Sequence, residues 1–133
     1  MKAGERVMLF QVGSRLYGIG ISAVRKVVTD QFITPIPRVP EKVAGAILFE
    51  GQAVPVFYTE APAATRNAGG LILTLQHESN LMGVAIDNVL RVIEPEEGEL
   101  KGETRRGSFE GRPFDLVTPA ELIPAGIVGS GGG

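Results

Sequence analysis

The sequence predicts an all-β chain, mainly strands with short helical turns, forming two small barrels packed side by side. Three observations point there. Apolar residues fall in short runs between turn residues, the pattern of many short strands. Gly and Pro are dense, 18 and 9 among 133 residues, which leaves little room for long helices. A strand pattern also recurs. Residues 17–28 line up with residues 82–93 at an offset of 65, and Phe49-Glu50-Gly51 returns as Phe109-Glu110-Gly111 at an offset of 60. The two repeats keep the same order, which argues for two half-domains with one strand plan. A half of about 60 residues with five or so short strands closes best as a barrel, because closure hides the strand edges.

The elements follow in order. Residues 7–12 and 16–21 are strands, and the two-residue link Gly13-Ser14 makes them a hairpin. Ser22 is a candidate cap for a brief helical turn with Val24, Val27 and Val28 on one face. The β-branched residues compete with that reading and favour an extended 24–29. Residues 33–40 carry Pro35, Pro37 and Pro40, so they form an edge or connector and no central strand. One helical turn is expected at 40–43, ended by Gly45. Strands at 46–49 and 53–58 are joined by Glu50-Gly51-Gln52. Residues 59–70, rich in Ala, Pro, Asn and Gly, are a loop between the halves.

Strands resume at 71–75 and 81–86 around the polar turn 76–80, then at 89–93. Residues 94–107 read as an exposed charged loop. A second hairpin is framed by 108–110 and 114–117 around Gly111. Thr118-Pro119 opens a short helix, since Thr caps and Pro suits the first helical position. The expected organisation is a single domain over 1–125. It has subdomains at roughly 7–60 and 71–123, with room for strand exchange at their ends. A flexible Gly-rich tail, 126–133, carries no assigned function.

Composition removes several function classes. The chain has 13 basic and 15 acidic residues, a net charge of −2, and no basic stripe, so no nucleic-acid partner is expected. It has no Cys, which excludes disulfide scaffolds, thiolate zinc sites and cysteine nucleophiles. Residues 1–10 hold no secretory apolar region and no apolar run is long enough to span a bilayer. A cytoplasmic protein without direct membrane insertion is the expectation.

Gly18-x-Gly20-x-x-Ala23 fits the loose dinucleotide fingerprint, but the prolines arrive before a crossover helix could form. Glycines that admit a close backbone neighbour explain it better. His77 is the single histidine and reads as an exposed turn residue, because Glu78 and Ser79 beside it in a turn make no held triad. Glu94, Glu96, Glu97 and Glu99 lack the spacing of a calcium loop and read as a solvated face. Asp87 and Asp115 lie at strand ends, where a lone carboxylate usually holds a turn. No enzyme activity, cofactor or metal site is expected. The apolar positions Val24, Val27, Val28 and Val89, Val92, Ile93 are equivalent faces of the two repeats, and some of them can line a groove between the halves.

An ordered set of motifs resembles the CheW-like domain of bacterial chemotaxis coupling proteins. The set runs through Leu9-Phe10-Gln11-Val12-Gly13, Tyr17-Gly18-Ile19-x-Ile21-x-x-Val24, the Pro-rich 33–40, Val43-Ala44-Gly45-Ala46-Ile47 and Gly51-Gln52-Ala53-Val54-Pro55-Val56. It closes with Gly83-Val84-Ala85-Ile86-Asp87-Asn88-Val89. The resemblance spans about residues 7–123. It implies two five-stranded SH3-like barrels and a non-enzymatic adaptor. Such an adaptor links the cytoplasmic tip of a chemoreceptor (a methyl-accepting chemotaxis protein) to the regulatory domain of a histidine kinase. The receptor tip would dock between the barrels, with Val24, Val27 and Val89 as groove residues. Gly45 and Gly83 would serve backbone geometry. Two charges are reversed against the family pattern: Lys26 stands where Glu is common and Glu50 where Arg is common. They are candidate partner-selecting charges, and the resemblance raises the possibility that Lys26 and Glu50 form an ion pair. The reversal supports a second expectation, a divergent adaptor that binds receptor, or another partner, without coupling to the kinase. A small β-barrel enzyme or ligand carrier is the alternative from another class, marked by a deep pocket with convergent polar groups.

Overall fold

The computed structural model describes residues 5–29, 33–34, 43–59, 71–94 and 106–123. Ten strands form: β1 Val7–Val12, β2 Arg15–Gly20, β3 Val24–Val28, β4 Val43–Phe49, β5 Gln52–Phe57, β6 Leu71–His77, β7 Asn80–Ile86, β8 Asn88–Ile93, β9 Arg106–Phe109 and β10 Arg112–Val117. A 3-10 turn, Ile21–Ala23, joins β2 to β3, and a single helical turn, α1 Pro119–Leu122, follows β10. The expected loop residues 60–70 and 95–105, the prolines 35–40, residues 40–42 of the expected helical turn and the tail lie outside the described residues; Val43, expected to end that turn, instead begins β4.

The strands make two five-stranded sheets. The first is ordered β8-β1-β2-β10-β9 and the second β3-β6-β7-β5-β4. Each sheet thus takes a hairpin from one half of the chain and three strands from the other. The exchange obeys the repeat. In the first sheet Val7 faces Ile93, Met8 faces Val92 and Phe10 faces Val89. In the second, Ile72 faces Val28, Leu73 faces Val27 and Leu75 faces Val24. Every partner is displaced by 65 positions (72 − 7, 93 − 28), and the ladder slips at the same place in both. The parallel pairs agree as well: Gly18 sits opposite Leu116, and Gly83 opposite Val56.

The hairpin strands β1, β2, β6 and β7 are apolar on both faces, which is why their sequences read as near-continuous apolar runs. Alternation sends Val7, Leu9 and Leu16 into the interior of the first sheet, with Ile93 and Phe114. It sends Ile72 and Ala85 into the second, with Ile47, Phe49, Val54 and Val56. The other face of the same strands supplies a third cluster shared by both sheets, built on Phe10, Tyr17, Ile19, Leu73, Leu75, Met82, Val84 and Ile86. Phe10 and Tyr17 stack there with centroids 5.4 Å apart. Thr74 is the buried polar residue at the position equivalent to Leu9, and its hydroxyl donates to the Lys26 carbonyl at 2.8 Å.

The glycines divide by physical cause. Gly45 has φ 147°, and a Cβ there would lie 2.2 Å from the Thr34 carbonyl oxygen, where Thr34 and Ala46 exchange backbone hydrogen bonds across a bulge in β4. Gly83 has no such dihedral. Its missing Cβ leaves room for Ile72 and Val56, so packing and not backbone geometry accounts for it. Gly18 likewise leaves room for Val7 and Phe114, side chains where the sequence suggested a neighbouring backbone. The hairpin turns Glu50-Gly51 and Glu110-Gly111 take the same left-handed pair, φ 53°/78° and 52°/81°. That is the turn whose twist matches the flanking strands.

Several expectations need correction. Ser22 caps nothing: the 3-10 turn has no side-chain cap, and the Ser22 N–H donates to the Glu5 carboxylate. Residues 24–28 are extended, as their β-branching favours. The turn between β6 and β7 is Glu78-Ser79 alone, shorter than expected, because Gln76 and Asn80 continue the strands and the Gln76 side chain donates to the Glu78 carbonyl. Gln11 does the same for Gly13 at the equivalent place. His77 ends β6 half-buried instead of lying exposed in the turn, and Gly107, assigned to the loop, pairs with Phe114 in β9–β10. Helix α1 has the expected Thr118 cap, completed by Glu121 as a reciprocal capping box.

Asp87 sits at the crossover from β7 to β8. Its carboxylate accepts from the Gly13 N–H, and its own N–H donates to the Gln11 carbonyl. This residue ties the β1–β2 turn of the first sheet to the end of a strand in the second. Asp87→Ala should therefore cost about 1 kcal/mol, the worth of one charge-assisted bond at a partly exposed site. Urea unfolding checks the value, and no loss would mean that the crossover needs no pin.

Candidate functional site

Val24 and Val27 lie on β3 and Val89 on β8, each an outer strand of its own sheet. All three are half-buried and pack against the shared central cluster. Val24 and Val89 are the same position of the repeat (89 − 24 = 65). All three therefore border the cluster that both sheets share, most of each side chain being packed against it.

The charges behave differently from the expected pair. Glu50 is bound by Arg25, not Lys26: Arg25 Nη2 lies 3.3 Å from Glu50 Oε1, and Arg25 Nη1 donates to Gln76 Oε1 at 2.8 Å. Lys26 is exposed and makes no ion pair with Glu50. The ladder slip between Val24 and Lys26 sets which of the two neighbouring cations faces the β4–β5 turn. Both Arg25 and Glu50 are about half exposed, so the pair adds at most about 1 kcal/mol. It spans from β3 to the β4–β5 turn across the open side of the second sheet. In the first sheet the outer strands are bridged by a different pair: Arg91 of β8, the repeat counterpart of Lys26, lies over the Phe109 ring of β9, 5.2 Å from its centroid.

Sequence reasoning missed two surface features. Leu48 on β4 is 73% exposed, a large apolar side chain on the solvent face. A pocket of about 260 Å³ lies at the hairpin end of the first sheet, lined among others by Arg15, Arg106, Arg112, Phe114 and Asp115. Asp115 Oδ2 is 3.3 Å from Arg15 Nη2 and its Oδ1 is 3.0 Å from Arg106 Nε. Asp115 therefore holds two arginines, where a turn-holding role was expected. The repeated Phe-Glu-Gly hairpin was the available signal, since it fixes Arg106 opposite Asp115.

No group of three or more His, Asp or Glu able to hold a metal occurs among the described residues. None of their helices is long and apolar enough to cross a membrane.

Comparison with known proteins places these features. The family model described as the CheW-like domain matches residues 6–114. The chain is 31% identical over 97 residues to the chemotaxis protein CheW of Treponema pallidum (strain Nichols), covering 66% of this chain and 56% of that protein. It is 28% identical over 94 residues to the chemotaxis protein CheW of Rhizobium meliloti (strain 1021), covering 68% and 61%. The match thus spans little more than half the length of these relatives. The scaffolding protein TtCheW of Thermoanaerobacter tengcongensis has the same fold, two SH3-like subdomains, with a TM-score of 0.71 at 22% identity over 85% of this chain and 88% of that one. With the motif order, the repeat and the paired sheets all in agreement, the chain belongs to the CheW-like domain family.

Proposed function

We propose that this chain is a non-enzymatic chemotaxis adaptor, acting in the cytoplasm, that links the cytoplasmic tip of a chemoreceptor to a histidine kinase signalling complex. The observation that carries the proposal is the trio Val24, Val27 and Val89. These half-buried apolar side chains flank the seam between two sheets, where an amphipathic helix can bury its apolar face. Family membership supplies the signalling context.

The charges support a second reading, an adaptor that takes receptor and withholds the kinase. Lys26 is exposed, and Glu50 is held by Arg25, so the reversed charges stand on the surface and can select partners. Titration at fixed salt against a receptor signalling tip and a kinase regulatory domain separates the readings. Binding to both supports coupling, receptor alone supports the second reading, and neither removes the adaptor role. Val24→Asp should weaken receptor binding roughly 10-fold or more with the fold retained, because a carboxylate would have to be desolvated at the contact. Unchanged affinity would place the receptor elsewhere.

A further inference from the structure

The basic pocket at the hairpin end of the first sheet is not explained by the fold. Arg15 on β2, Arg106 on β9 and Arg112 on β10 line it together with Asp115, on a chain whose net charge is −2. The internal repeat provides a control. The positions equivalent to Arg15, Arg106, Arg112 and Asp115 in the second sheet are Asn80, Ala46, Gln52 and Pro55. Ala46 and Pro55 face each other there as Arg106 and Asp115 do here. The same barrel end is therefore built twice, and it closes without any of the four charges.

Asp115 orders what it touches. Its two oxygens engage one arginine each, which fixes two guanidinium planes beside the cavity. Arg15 also lies over the Tyr17 ring at 6.0 Å. Arginine forks held this way suit planar carboxylates, with the two-point geometry that lysine lacks. The Arg15 and Arg106 side chains are 54% and 71% exposed, too open to enclose a free small anion but well placed for a side chain presented on another surface.

We propose that this pocket is a recognition site for an acidic segment of a partner protein, in which Asp or Glu carboxylates dock against Arg15, Arg106 and Arg112. The surface is separate from the valine seam, and the inference does not depend on the receptor assignment.

Fluorescence anisotropy with the full chain and a labelled hexaglutamate peptide tests it, with the hexaglutamine peptide and inorganic phosphate as comparators. The expected result is saturable binding of hexaglutamate alone, screened strongly as salt rises toward about 1 M. Arg112→Gln should weaken it about 3- to 10-fold without lowering the thermal midpoint, since each charge-assisted contact contributes on that scale. Arg25→Gln, at the other sheet, should change nothing. Equal binding of hexaglutamine, or indifference to Arg112→Gln, would overturn the proposal. So would displacement of the peptide by millimolar phosphate, which would assign the pocket to a free anion.

Discussion

Phe10→Ala is expected to lower the unfolding free energy by about 3–5 kcal/mol, the cost of a large cavity where neighbours cannot collapse. Phe10 is fully buried in the cluster that both sheets share, and it stacks on Tyr17. The residue lies on β1, between the interior of its own sheet and β6 and β7 of the other. Its loss thus removes contact between the two barrels, beyond the contact within one. A domain of this size has about 5–15 kcal/mol in total, so the variant should be marginal at best. Phe114→Ala, in the interior of the first sheet, serves as a comparison. If the sheets unfold as one unit, both variants should show a single transition in urea. Two separated transitions in Phe10→Ala would mean that each barrel is stable by itself and that the shared cluster is a contact, not a core.

Gly45→Ala is expected to cost more than about 2 kcal/mol, because two penalties coincide. The backbone is held at φ 147°, a region that L residues rarely occupy, and the new Cβ would meet backbone, the Thr34 carbonyl oxygen. The Thr34–Ala46 bridge must give way, since the nearest obstacle is backbone and moving the Ile33 side chain beside it would not relieve that clash. Gly51→Ala is the control. Gly51 also has a positive φ, 78°, but open space surrounds its missing Cβ, so it should lose only about 1–2 kcal/mol. Chemical denaturation of both variants decides the matter. Equal losses would show that dihedral strain alone accounts for Gly45.

Much of this architecture is legible in the sequence because its signals are local. Val7–Val12 and its partner hairpin strand are joined by a two-residue turn, and the Glu-Gly turns fix the registers of β4–β5 and β9–β10. The repeat of residues 17–28 at 82–93 reappears as identical pairing in the two sheets. What local pattern does not carry is which strands share a barrel. The parallel pairs β2–β10 and β5–β7 join segments distant in the chain, and no turn chemistry specifies them. The arginine pocket depends on one of those pairs: Arg15 and Asp115 are 100 positions apart and meet because β10 lies beside β2. The choice of Arg25 over Lys26 as the partner of Glu50 depends on a ladder slip, and strand alternation by itself does not reveal a slip.

The proposed adaptor role places a helical partner against the seam between the sheets. Amide chemical-shift mapping during titration with a receptor signalling-tip fragment tests it most directly. Saturable shifts concentrated on Val24 and Val27 of β3 and on Val89 of β8 are expected, with the Arg15–Asp115 end silent. Shifts confined to the barrel ends, or none that saturate, would contradict it.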